Sequence, residues 1–194
     1  TSDLLGVFLR SVLRENEIDH QQIDQVAIAS VVPDLEYSIR SAVIKYLNCE
    51  PFFLQAGVKT GLQIKTSHPA QVGADIIAGA IAAVHHYQGQ NIIVVDMGTA
   101  TTITAVNKGN CLLGVTIFPG CTTSMRALRA NAAKLPAVEI TRPARALGRE
   151  TTESIQSGLY LMQAYSIKQI CQRIIQEEFP EEDCIVVGTG GFAN

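Results

Sequence analysis

Charged and aromatic residues are scarce in this sequence of 194 residues, and tryptophan is absent. Only 17% of the residues are charged, and 15 basic against 18 acidic side chains give a net charge of −3. No basic cluster stands out, so the sequence lacks the electrostatic footprint of a nucleic-acid-binding protein. It contains no apolar run of membrane-spanning length, and no charged segment followed by an apolar run stands at its start. We therefore expect a cytoplasmic protein without nucleic-acid or membrane partners.

Cysteine pairs at metal-binding spacing are also missing. The five cysteines are odd in number and scattered, and none forms a C-x-x-C pair, which argues against both a zinc site and a disulfide framework. The four histidines fit no common zinc pattern. With 47% hydrophobic residues, the chain is expected to be globular, and its length suits one large or two small domains.

Residues 91–119 predict three strands joined by two tight turns. Four β-branched residues at 92–95 favour a buried strand, and Asp96 and Gly98 follow where it should end. A second strand leaves this turn, residues 108–110 form another turn, and residues 111–118 form the third strand. We predict that these strands form an antiparallel edge that continues into a mixed sheet with helices on both faces.

The first of these turns is a candidate phosphate site. A carboxylate beside a Gly/Thr turn can hold a cation that offsets phosphate charge, while backbone N–H groups contact the phosphate. An ordinary hairpin, with threonine chosen for β-propensity, explains the same pattern. The glycine run at 188–191 has two interpretations as well, a backbone passing close to a ligand or a plain loop after a strand.

Helices and strands alternate over the rest of the chain. Apolar residues at helical spacing, beginning with Leu4, Val7 and Phe8, predict an amphipathic first helix, and Leu35 begins the inner face of the second. Further helices are predicted at residues 34–47, 71–87, 122–133 and 150–178, the last being either one long helix or a helix pair. Further strands are predicted at 26–32, 52–54 and 184–187. Together these elements indicate two α/β units.

Six short stretches carry a more specific signal. They are Ser-Val-Val-Pro at 30–33, Gly-Val-Lys-Thr-Gly at 57–61, Val-Gly-Ala-Asp at 72–75, Asp-Met-Gly-Thr-Ala-Thr-Thr at 96–102, Pro-Gly at 119–120 with Lys-Leu-Pro at 134–136, and Glu-Ser-Ile-Gln-Ser-Gly at 153–158. These six stretches occur in the same order in type III pantothenate kinases, a family of actin-like ATPases, and through them the chain resembles that family. The resemblance implies an α/β fold of two ribonuclease-H-like units, an incomplete one at 1–88 and a second at 89–194.

The resemblance also implies an activity and its residues. The family reaction is ATP-dependent phosphorylation of pantothenate, with Mg²⁺ on the nucleotide, a bound potassium ion and a homodimeric enzyme. Asp75 matches the general base, although by itself an aspartate there would be interpreted as a helix cap. The implied contacts are Gly73, Ala74, Asp75 and Thr151 to the substrate, Thr99, Thr101 and Thr102 to ATP, and Asp96 to the monovalent cation.

The sequence departs from the family pattern at several points. The family's opening Asp-x-Gly-Asn-Thr phosphate loop does not occur, and the closing helices of the family are expected to be missing too. Ile76 stands where the family has an arginine that meets the anionic substrate. Gly79 stands where the family usually has an asparagine, and Thr66 stands near the position of the family's substrate-contacting tyrosine. We therefore expect these 194 residues not to phosphorylate pantothenate at a useful rate. A non-catalytic binding or regulatory relative is the alternative.

Overall fold

The computed structural model describes residues 1–55, 57–132 and 135–193. Contacts divide the chain into two compact units, Thr1–Thr60 with His68–Ala78, and Gly61–Ser67 with Gly79–Asn194. The predicted match at residue 134 and the predicted helix end at residue 133 lie outside the described residues. Within the described ranges, no helix is long and apolar enough to cross a membrane.

The first unit is built on a parallel strand pair. Its elements are α1 (Ser2–Glu15), β1 (Ala27–Ala29), α2 (Pro33–Leu47), β2 (Phe52–Leu54) and the start of α3 (Ala74–His86), with single 3-10 turns at His20–Gln22 and Pro69–Gln71. In the parallel pair, Ala27 aligns with Phe52 and Ala29 with Leu54. The strand predicted at residues 26–32 is therefore shorter than expected, because backbone pairing with β2 covers only three residues.

Helices α1 and α2 meet through a small residue and an ion pair. Gly6 is the buried residue of α1, and the Tyr46 ring fills the space that a side chain at Gly6 would take. Asp3 accepts hydrogen bonds from Lys45 Nζ at 2.5 Å and from the Tyr46 hydroxyl at 2.9 Å. The predicted apolar stripe of α1 is not the buried face, since Leu4 and Phe8 are 77% and 63% exposed.

The second helix buries the later part of its predicted inner face, which was expected at residues 35, 39, 43 and 47. Leu35 lies in its first turn and is half exposed, whereas Ala42, Val43 and Leu47 are buried farther along. Phe53 of β2 is also buried, so the packed part of the helix is its C-terminal half.

A five-stranded mixed sheet forms the centre of the second unit. Its strands are β3 (Gln63–Ile64), β4 (Asn91–Met97), β5 (Ala100–Asn107), β6 (Cys111–Pro119) and β7 (Cys184–Thr189), in the order β3-β6-β5-β4-β7. The antiparallel β4-β5-β6 arrangement confirms the predicted double hairpin. The predicted continuation into a mixed sheet is found where β7 pairs in parallel with β4. The predicted place at the sheet edge is wrong, because the short strand β3 pairs in parallel with β6.

The two faces of this sheet carry different helices. Ile93, Val95 and Ile103 pack with α5 (Thr151–Glu178), which is one continuous helix. Ile92 and Val94 point to the other face and pack with Ala83 of α3. Helix α4 (Cys121–Asn131) follows β6 directly. Alternation along β4 and β5 therefore decides which side chains of the central turn share a face.

Candidate active site

Asp96 lies near the C-terminal end of β4, where β4 and β7 run in parallel. It aligns with Thr102 of β5 on one side and with Thr189 of β7 on the other. Even-numbered residues of β4 and β5 point to the α3 face, so the half-buried side chains of Asp96 and Thr102 lie together. Carboxyl ends of parallel strands are a common place for ligand sites in α/β proteins.

The Asp96 carboxylate rests against a glycine at the end of β7. A Cβ at Gly190 would lie 2.5 Å from Asp96 Oδ1 and 2.7 Å from Met97 N. Gly190 has a φ of +93°, a conformation that side-chain-bearing residues rarely adopt. On the turn side, a Cβ at Gly98 would lie 3.8 Å from the same carboxylate oxygen. Gly190 therefore leaves the space that Asp96 needs, whereas a Cβ at Gly98 would make an ordinary contact with it.

The turn at residues 98–99 is held against the start of α4. The Thr99 carbonyl accepts hydrogen bonds from Gly120 N at 3.1 Å and from Thr123 Oγ1 at 2.6 Å. A side chain at Gly120 would overlap the Gly98 carbonyl, so the two segments approach as closely as a glycine allows. The first N–H groups of a helix carry partial positive charge, which suits a phosphate at this turn.

The three threonines grouped by the sequence do not share one environment. Thr99 is exposed in the turn, and Thr102 lies on the face of Asp96. Thr101 is only 1% exposed and points to the α5 face. There its hydroxyl lies 3.3 Å from the Nε2 atom of Gln163, a buried residue that the sequence analysis did not single out. An amide within an otherwise apolar helix stripe is the signal that could have identified it.

A cavity of about 390 Å³ lies on this α5 side of the sheet. Thr101 and Gln163 line it together with Met97, Tyr160 and Phe192. Its volume falls in the range of small-molecule pockets, and its wall is mostly apolar.

Asp75 is exposed in the first turn of α3, in the first unit. Its Oδ1 atom accepts a hydrogen bond from Ile76 N at 2.9 Å. The same oxygen occupies the space of a side chain at Gly73, so a larger residue there would displace the carboxylate. The glycine at position 73 therefore leaves the carboxylate of Asp75 in its present position, and its neighbour Ala74 is the first residue of α3.

Thr151 is the first residue of α5 and is exposed in the second unit. It lines an open groove of about 720 Å³ with Arg149 and Gly158. The segment before the helix is fixed by Arg149 N donating to Glu153 Oε2 at 3.0 Å and by Ser157 Oγ donating to the Ala146 carbonyl at 2.5 Å.

The comparisons with known proteins agree with one another. A family model described as type III pantothenate kinase matches residues 1–173. A type III pantothenate kinase of Legionella pneumophila (strain Paris) is 52% identical over 194 residues, which are 100% of this chain and 76% of the relative. Type III pantothenate kinase 1 of Francisella tularensis subsp. holarctica (strain OSU18) is 45% identical over the same shares. This chain belongs to the type III pantothenate kinase family.

A solved structure supports the fold of this pantothenate kinase family member. It is a conserved protein of Campylobacter jejuni, described as a proposed transcriptional activator of the Baf family. The TM-score is 0.55 at 17% identity, and the match covers 94% of this chain and 74% of the other. At this identity the likeness concerns the fold alone. The mixed α/β architecture expected from the sequence is confirmed.

The residues that depart from the family pattern have distinct surroundings. Ile76 is half-buried in the first turn of α3. A Cβ at Gly79 would lie 4.0 Å from Val94 Cγ1, so this position is where α3 packs closely on β4. Thr66 has a buried hydroxyl without a hydrogen-bond partner in the part of the chain that the structure describes.

Proposed function

We propose that the reaction of this protein is the ATP-dependent phosphorylation of pantothenate to 4'-phosphopantothenate, the first step of coenzyme A biosynthesis. The expectation that these 194 residues alone turn over slowly stays a prediction. The observation that carries the proposal is the strand-end site, in which Asp96 sits between glycines beside a turn bonded to the start of α4. Family membership supports the same reaction. A non-catalytic relative is not favoured, since the relatives named above are described as kinases.

We propose Asp75 as the general base that takes the proton from the attacking hydroxyl of pantothenate. Its exposed carboxylate is accessible to a substrate, and one of its oxygens is already oriented by the Ile76 N–H. A general base must come within hydrogen-bond reach of the proton that it abstracts, and an exposed side chain can do so. Gly73, Ala74 and Thr151 are proposed to contact the substrate.

Asp96 is proposed to hold a monovalent cation, potassium, with Thr99, Thr101 and Thr102 contacting ATP. A carboxylate oxygen is a hard donor that suits Mg²⁺ and alkali cations, and the glycine at residue 190 leaves it room. The described residues contain no cluster of three or more metal-ligating side chains. Mg²⁺ commonly binds through one or two carboxylates together with substrate phosphates, so this donor set fits a cation shared with ATP. A bound cation would offset the charge that develops during phosphoryl transfer.

Within this group, Thr101 is proposed to act through its backbone. Its hydroxyl points to Gln163 on the opposite face from Asp96, while its backbone follows directly on the turn.

Replacing Asp75 with asparagine tests the proposed base. Asp75→Asn in the full-length protein should lower kcat by about 10²–10⁴-fold with little change in KM, because proton abstraction is lost while the shape is kept. Steady-state phosphorylation of pantothenate by ATP measures this.

Asp34→Asn is the matched control, since Asp34 also lies in the first turn of a helix in the first unit. Its kcat should stay near that of the wild type. An Asp75→Asn variant with wild-type turnover would exclude Asp75 as the base.

Three broader features are proposed on family grounds. They are two ribonuclease-H-like units with a boundary near residue 88, a cytoplasmic location and a homodimer. Exposed apolar side chains such as Ile117 and Tyr165 are available for subunit contact. A sedimentation experiment that gives only a folded monomer would reject the homodimer. A crystal structure would test the two ribonuclease-H-like units, and cell fractionation would test the cytoplasmic location.

A further inference from the structure

Gln163 is a polar residue in an apolar row of helix α5. Residues 159, 163, 167, 170 and 174 recur at helical spacing, and all except Gln163 are leucine or isoleucine. Ile167, Ile170 and Ile174 pack against the core on the α5 face of the sheet. Gln163 is only 6% exposed. Burying an amide is unfavourable unless it is hydrogen-bonded, so its partners account for its place in the row.

The Gln163 amide connects the ends of two strands, β5 and β6, beside the turn at residues 98–99. Its Nε2 atom donates to the Pro119 carbonyl at 2.9 Å, and because a carbonyl only accepts, this bond fixes the orientation of the amide. Thr101 Oγ1 lies 3.3 Å from Nε2 and 3.5 Å from Oε1. Cys121, the first residue of α4, lines the same cavity as Gln163.

Both partners, and Cys121 beside them, are adjacent to the groups that form the strand-end site. Thr101 follows the turn on β5, and Pro119 closes β6 opposite Ala100. Cys121 begins α4, whose neighbouring Gly120 and Thr123 bind the Thr99 carbonyl. One side chain therefore ties the adjacent ends of β5 and β6 to α5, and Pro119 is followed within two residues by the start of α4.

We infer that Gln163 is a positioning residue, which holds the turn at 98–102 and the start of α4 in register for phosphate binding. This inference rests on the proposed kinase function. Gln163 acts from the opposite face of the sheet to Asp96, so it influences the phosphate groups only through the backbone of the turn. In a reaction where alignment supplies much of the rate, a small displacement of that backbone is costly.

The test replaces the amide with an apolar side chain of similar size in the full-length protein. Gln163→Leu should raise KM for ATP or lower kcat by about tenfold, while KM for pantothenate stays within about twofold. Hydrogen exchange of the amides at 98–102 should become faster, and exchange at residues 92–95 in the centre of β4 should not change. Thr101→Val should have a similar effect, and the double variant should be no worse than the more affected single variant, as expected for residues that act together.

Gln172→Leu is the control, because Gln172 lies on the same helix and is exposed. It should leave kinetics and exchange unchanged. If Gln163→Leu loses thermal stability but keeps wild-type kinetics and wild-type exchange at 98–102, its role is only structural and the inference is wrong. If the wild-type protein does not phosphorylate pantothenate, the proposed function fails, and the exchange measurement still decides the positioning role.

Discussion

At the scale of single residues, Gly190 determines where the Asp96 carboxylate can lie. Gly190→Ala would place a methyl group 2.5 Å from Asp96 Oδ1, and the φ of +93° would strain any side-chain-bearing residue. We expect the carboxylate to be displaced, with a loss of activity of about tenfold or more and a weaker response of the rate to potassium. Turnover measured against ATP and potassium concentration checks this.

Gly191→Ala provides the matched comparison, since nothing lies within 4 Å of a Cβ at that position. It should retain turnover and potassium response. Equal activity in both alanine variants would show that Asp96 does not depend on the glycine at the end of β7.

At the scale of elements, the contact between α1 and α2 depends on a glycine, Gly6, because the Tyr46 ring of α2 occupies the space that a side chain there would need. Alanine normally stabilises a helix over glycine by about 1 kcal/mol. Gly6→Ala should nevertheless destabilise the protein by about 1–3 kcal/mol, because its methyl group would overlap the Tyr46 ring that is bonded to Asp3. Chemical denaturation measures the free energy of unfolding.

Gly158→Ala is the opposite case within α5, where a Cβ would meet nothing within 4 Å. This variant should be neutral or stabilised by up to about 1 kcal/mol. The two substitutions are chemically identical, so a shared sign of their effects would contradict the packing argument.

At the scale of the whole molecule, acid should weaken both units. Hydrogen bonds from Lys45 and Tyr46 lower the pKa of Asp3 below its ordinary 3.8, and bonds from Lys108 and Asn91 lower the pKa of Glu182 below its ordinary 4.5. In each case the unfolded chain binds more protons than the folded one, so stability is lost as pH falls through the folded pKa. Thermal midpoints should decrease below about pH 4.5.

Glu182→Gln should lower the thermal midpoint at pH 7, and its difference from the wild type should close on acidification. Glu178→Gln, an exposed change at the end of α5, should leave the pH profile unaltered. If the thermal midpoints of Glu182→Gln and the wild type stay the same distance apart down to pH 3, the Glu182 carboxylate does not contribute to the acid destabilisation.

The sequence by itself determined the β4-β5-β6 arrangement, because β-branched runs and tight turns encode strands locally. It also led to the kinase family and singled out Asp75 and Asp96, since those matches lie in short contiguous motifs. Because side chains alternate along a strand, the sequence also implies that Thr101 and Thr102 point to opposite faces of the sheet. It does not show that helix α5 covers the face of Thr101.

The tertiary structure alone decided the position of β3, the exposure of the α1 stripe and the partners of Gln163. β3 pairs with β6 although nearly 50 residues separate them, as the alignment of Gln63 with Cys111 shows. Gln163 reaches Thr101 across 62 residues, and Gly190 reaches Asp96 from the end of another strand. Such contacts depend on sheet order and helix packing rather than on the properties of neighbouring residues, so no local pattern encodes them.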